Sequence, residues 1–270
     1  MASLERRILL ALALSLPAAP GAAAKDASAA FVLAGQSNMS GRGSLEALEP
    51  SERSEVSAVD LYGNDGKWKK AIEPIDSAAD QVDIVSEDHS AAVGPGLFFA
   101  RAMKPTEKTP VALIPCAKGG SSIGRWKRSQ KRDTLYGSCL ARIREADRRV
   151  AGILWYQGET DADRSADIAG KWSEHFRALV TSFRRDLGNP RLPVVFVQIA
   201  ERPTRKPDRN LSWNIVQGQQ AEFTLGCTAM VSAVGLARNP DELHLSTTGQ
   251  RELGASLAAA MQRLIEDGCR

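Results

Sequence analysis

Ser37, His244 and Asp241 are the side chains in this sequence whose types match acyl transfer: a hydroxyl nucleophile, an imidazole base and a carboxylate to orient it. Ser37 sits in Gly35-Gln36-Ser37-Asn38-Met39, directly after the apolar run Phe31-Val32-Leu33-Ala34. Asp241-Glu242-Leu243-His244 lies near the other end, ahead of a helical pattern. That short spacing lets one turn present carboxylate and imidazole together. Taken alone, Ser37 reads equally as a helix cap. Asp241 and His244 read equally as a capped helix entry, although Ser246, Thr247 and Thr248 are better placed for that cap. Of the other histidines, His89 falls in a polar stretch and His175 in an amphipathic pattern, where a structural role is the ordinary reading.

Acyl transfer also needs donors aimed at the developing oxyanion. The Ser37 N–H is one candidate. Gly119-Gly120, in Cys116-Ala117-Lys118-Gly119-Gly120-Ser121, can offer a backbone N–H free of side-chain obstruction, or be a flexible turn. Gln157, in Trp155-Tyr156-Gln157-Gly158-Glu159, can offer a side-chain amide, or bond to backbone.

These segments need a frame. Apolar runs predict strands at 30–34, 58–62, 111–115, 152–156, 194–200 and 228–233. Helical spacing predicts helices over 96–103, 135–149, 168–187, 211–224 and 246–266. Strands alternating with helices imply a parallel sheet covered on both faces. Ligands then bind beyond the carboxyl ends of the strands, where the polar segments fall. Stretches 64–93 and 202–210 read as surface excursions that would shape specificity.

The chain has 270 residues, 43% of them apolar and 25% charged, which suits one domain with a sizeable core. The net charge of +3 is spread over scattered basic pairs, so the basic residues read as solvated faces and no nucleic-acid partner is expected. Arg6-Arg7, the apolar run 8–16 and Ala22-Ala23-Ala24 read as a secretory signal over 1–24, leaving 25–270 as a single domain. No run is long enough to span a membrane, so no stable insertion is expected after signal removal. The four cysteines, Cys116, Cys139, Cys227 and Cys269, allow one or two disulfides in an exported protein, with three full pairings open. Without a C-x-x-C pair or closely spaced histidines, no metal site is expected.

Gly-Gln-Ser-Asn-Met at 35–39, Lys-Gly-Gly-Ser-Ser-Ile at 118–123, Trp-Tyr-Gln-Gly-Glu at 155–159 and Asp-x-x-His at 241–244 occur in the order of the SGNH hydrolase superfamily. Over residues 29–266 the chain resembles the sialate O-acetylesterase-like domain of carbohydrate esterase family 6, particularly its plant members. The resemblance implies a three-layer α/β/α sandwich with a parallel, flavodoxin-like sheet of about five strands. It implies Ser37 as nucleophile, His244 as base and Asp241 as its partner. It also implies an oxyanion hole from the Ser37 N–H, a glycine N–H (Gly120 preferred over Gly119) and the Gln157 amide. Gln36, Asn38 and Glu159 take supporting roles. The expected protein is a secreted carbohydrate O-acetylesterase without metal or organic cofactor, acting on acetylated xylan or another cell-wall glycan. Nothing in the sequence reads sialic acid. A lipase or thioesterase on the same fold, or an inert glycan-binding protein, are the rival readings. Oligomeric state is left open.

Overall fold

The computed structural model describes residues 28–269; the expected signal segment, 1–24, lies outside the described residues. Seven strands form one sheet: β1 (Ala29–Gly35), β2 (Val56–Tyr62), β3 (Trp68–Ala71), β4 (Val111–Pro115), β5 (Val150–Tyr156), β6 (Val194–Gln198) and β7 (Thr228–Ser232). Their spatial order is β3-β2-β4-β1-β5-β6-β7. All neighbours pair in parallel except β2 and β3. All six strands expected from the apolar runs are present, but the sheet is larger than the expected five. The five strands β4-β1-β5-β6-β7 hold the flavodoxin order 2-1-3-4-5. The β2–β3 pair extends it past β4. β3 escapes an apolar-run reading because it is a four-residue edge strand, with Lys69 and Lys70 exposed.

The helices are α1 (Ser37–Ser40), α2 (Gly96–Ala102), α3 (Leu135–Glu145), α4 (Glu159–Ala162), α5 (Ala166–Ala169), α6 (Trp172–Asp186), α7 (Trp213–Ala221) and α8 (Thr247–Glu266). Successive residues of β4 are all buried, as are nearly all of β1 and β5. Side chains alternate between the two faces of a strand, so both faces are covered. Helices α2 and α8 pack on each other, as do α6 and α7. Gly254 of α8 lies so close to α2 that a Cβ there would come within 2.5 Å of Phe98 Cβ. The expected helix 168–187 is broken in two. Gly170 caps α5, and Trp172 then begins α6 fully buried against Phe176, with ring centroids 4.8 Å apart.

A disulfide joins Cys116, just past β4, to Cys139 in α3; Cys227 and Cys269 are free thiols. No helix among the described residues is long and apolar enough to cross a membrane.

Candidate active site

Three of the four polar segments leave neighbouring strands in the same direction. β4, β1 and β5 are adjacent and parallel, so the loops beginning at Cys116, Gln36 and Gln157 lie side by side beyond their carboxyl ends. The turn after β1 is sharp. Gly35 has φ +133°, and a Cβ on it would stand 2.1 Å from Tyr156 O, so only glycine fits where β1 presses on β5. The Gln36 N–H donates to Tyr156 O at 2.8 Å, and Ser37 opens α1.

The fourth segment comes from beyond β7. Here His244 Nδ1 lies 2.6 Å from Asp241 Oδ2, and His244 Nε2 lies 3.0 Å from Ser37 Oγ, across 207 residues of chain. Asp241 Oδ1 also accepts the Leu243 and His244 N–H groups, both at 2.9 Å. Burial pushes the Asp241 carboxyl up. The bonds from His244 and Leu243 outweigh that and hold it below the usual aspartate value, so it is a carboxylate at neutral pH. A carboxylate at Nδ1 places the imidazole proton there and leaves Nε2 as an acceptor facing the Ser37 hydroxyl.

Asn38 fixes the approach of the two segments. Its Nδ2 donates to Leu243 O at 3.2 Å, its Oδ1 accepts the Leu245 N–H at 2.9 Å, and its backbone carbonyl accepts Gln250 Nε2 at 3.1 Å. The peptide groups flanking His244 are thus read by the residue after Ser37. Asn38 Nδ2 also donates to Glu159 Oε1 at 2.6 Å. Burial raises the Glu159 carboxyl to about 7, against the opposing bond from Asn38.

Ser37, Asp241 and His244 line a cavity of about 940 Å³ together with Gln36, Gly120, Glu159 and Leu243. Its outer walls carry polar and charged side chains: Arg42, Thr160, Asp163, Arg164, Arg205, Lys206, Arg209 and Asn210, with Pro203 among them. Several come from 202–210, the excursion expected to border the site. Glu242 straps that excursion to the His244 turn by accepting the Thr204 N–H at 2.6 Å.

The glycine pair divides its work. The Gly119 N–H donates to Asp88 Oδ2 at 2.8 Å, whereas Gly120 lines the cavity, and no acceptor among the described residues takes its N–H. Nor does any take the Ser37 N–H. Asp88 and Arg42, which frame this loop, were not singled out from the sequence. Asp88 stands in an irregular stretch where no periodicity marks a buried residue.

Gln157 departs from expectation. It is wholly buried and does not line the cavity. Its Oε1 accepts Trp172 Nε1 at 3.0 Å, and its Nε2 is turned toward Asp161 Oδ2, Ser121 O and Gln36 Oε1. A buried indole N–H demands an acceptor, and that demand orients the amide inward. The side-chain amide that reaches the cavity belongs to Gln36. Its Oε1 is held by the N–H groups of Gly158 and Thr160 at 3.4 and 3.2 Å, while its Nε2 meets no acceptor among the described residues.

The family model described as carbohydrate esterase, sialic acid-specific acetylesterase, matches residues 27–263. The chain belongs to this family. It is a carboxylic ester hydrolase of the carbohydrate esterase type. Among its relatives is the probable carbohydrate esterase At4g34215 of Arabidopsis thaliana, 33% identical over 247 residues that cover 85% of this esterase and 88% of the relative. The X-ray structure of the Arabidopsis protein superposes with a TM-score of 0.76 at 30% identity, covering 88% of this chain and 98% of that one. XAC1771 of Xanthomonas citri, a carbohydrate acetylesterase, shares the fold at a TM-score of 0.65 and 21% identity, covering 88% of the esterase and 56% of that chain. NanS shares it at 0.64 and 18%, covering 90% and 99%.

Proposed function

We propose that this esterase is secreted and removes O-acetyl groups from a polysaccharide, acetylated xylan or another cell-wall glycan, through an acetyl-serine intermediate. The observation that carries the reading is the chain of contacts Asp241–His244–Ser37, at 2.6 and 3.0 Å, opening on one cavity.

Ser37 Oγ attacks the acetyl carbonyl while His244 Nε2 takes its proton, and Asp241 stabilises the imidazolium. The tetrahedral oxyanion is met by the N–H groups of Ser37 and Gly120 and by Gln36 Nε2. Collapse expels the sugar hydroxyl, protonated by His244. Water, activated by the same imidazole, then hydrolyses the acetyl-serine and releases acetate. The walls favour a sugar over a long acyl chain. They offer hydroxyl, amide, carboxylate, ammonium and guanidinium groups to the hydroxyls of a sugar, with Pro203 and Leu243 as apolar side chains among them.

Ser37→Ala is expected to cut acetate release from p-nitrophenyl acetate and acetylated xylan by roughly 10⁵-fold or more. An active-site phosphonate should label Ser37 in the parent enzyme. Full activity in the variant would remove the mechanism. Faster turnover of octanoyl than acetyl esters would replace the carbohydrate substrate with a lipid-like one.

A further inference from the structure

We propose that Asp88 is a positioning residue for catalysis, clamping the nucleophile turn to the glycine loop so that the Gly120 N–H points at the oxyanion. The proposal rests on the acyl-enzyme reading of the site.

Asp88 is buried and touches both sides of the oxyanion site. On one side its Oδ2 accepts the Gly119 N–H at 2.8 Å. On the other it accepts Ser40 Oγ at 3.0 Å, and Ser40 belongs to α1, the helix that begins at Ser37. Arg42 Nη2 bridges both carboxylate oxygens at 3.0 and 2.8 Å, while Arg42 Nη1 donates to Ser40 Oγ at 3.0 Å and to Gly41 O at 2.6 Å. The Ser90 N–H, at 3.2 Å from Oδ1, holds the carboxylate from its own loop. Lys118 Nζ donates to Glu87 O, a second tie between the same two loops. Burial pushes the Asp88 carboxyl up, but Arg42, Gly119 and Ser40 together hold it below the usual aspartate value, so it accepts as an anion at neutral pH.

The two glycines record this arrangement. A Cβ at residue 119 would lie 2.5 Å from Arg42 Nη2 and 2.6 Å from Asp88 Oδ2, so the ion pair occupies the space a side chain would need. At Gly120 the φ is +68°, and nothing stands within 4 Å of the Cβ position, which leaves the residue open to the cavity. Occupying one N–H with Asp88 fixes the orientation of the next peptide. Without it, a glycine pair samples many conformations and the donor is lost from its aim.

The test compares Asp88→Ala and Asp88→Asn with the parent enzyme, each normalised to active sites titrated with a phosphonate. Affinity for an alkylboronic acid, which forms a tetrahedral anion on a nucleophilic serine, is measured alongside. Asp88→Ala should lower kcat per titrated site by about 10- to 100-fold. It should weaken boronate binding by the same factor and leave KM within about twofold. Asp88→Asn, whose amide oxygen still accepts one N–H, should recover part of both losses. Unchanged kcat per titrated site in either variant overturns the proposal. So does a fall in kcat with boronate affinity intact, since the clamp would then act elsewhere. Normalisation removes losses from misfolding, and Asp88→Asn keeps the comparison open if the alanine variant fails to fold. A Ser37→Ala control separates the two readings. Full activity there defeats the esterase mechanism, whereas an inert control beside an unimpaired Asp88→Ala defeats only the role of Asp88.

Discussion

Gln36 and Gln157 are neighbours in space with opposite fates. The indole of Trp172 and the carboxylate of Asp161 turn Gln157 inward, whereas two backbone N–H groups hold the oxygen of Gln36 and leave its nitrogen to the cavity. Gln36→Ala is therefore expected to lower kcat by roughly 10²- to 10³-fold with little change in KM. Gln157→Ala is expected mainly to destabilise the fold, by about 1–3 kcal/mol, because it strands buried partners. Steady-state kinetics and thermal melts on both variants check the assignment, and the reverse pattern would return the donor to Gln157. The choice between these amides was not legible in the sequence, since residue type gives a side chain's donors but not the direction in which they face. The meeting of Ser37, Asp241 and His244 was legible because few residue types can do the proposed chemistry and all three stand in polar segments that follow strands. Gly120 was preferred over Gly119 without reference to Asp88, whose bond to the Gly119 N–H leaves that of Gly120 unclaimed and which the sequence hides in an irregular loop.

The elements position these residues through strand ends and a few ties. Strands were readable wherever the sheet is buried on both faces, because that requires unbroken apolar runs. The short, lysine-bearing edge strand β3 was not. Helix ends shifted for local reasons: α3 stops at Glu145 because Asp147 adopts φ +46° before β5 begins. The Cys116–Cys139 disulfide ties the end of β4, and with it the start of the glycine loop, to α3 across 23 residues. Replacing both cysteines by alanine should cost roughly 3 kcal/mol through the freed unfolded chain. Urea melts of the oxidised parent and the double variant measure it; a difference below about 1 kcal/mol would mean that packing alone holds this junction.

For the whole molecule, buried acids set the response to pH. Burial is the main cause that raises Glu73 from 4.5 to about 8, Asp76 from 3.8 to about 7 and Glu159 from 4.5 to about 7. The folded form therefore keeps protons that the unfolded chain has released, and stability falls as pH rises from about 5 to about 8. In strong acid the opposite group matters, since Asp88 and Asp241, held below their ordinary values, lose their native bonds on protonation. Thermal melts should give a lower Tm at pH 8 than at pH 5, and Glu73→Gln should narrow that gap. A Tm that is flat or rising over this range would show that these acids ionise freely in the fold. Strand order follows a similar division between legible and hidden. The six strands read from apolar runs include β2, and only β3 is hidden, inside the polar stretch 64–93. The bonds from Asn38 to the peptides on either side of His244 have a consequence for synthesis. The Ser37 hydroxyl is synthesised 207 residues before its partner imidazole, so under the proposed mechanism a growing chain stays inert towards esters until the His244 turn has docked on Asn38.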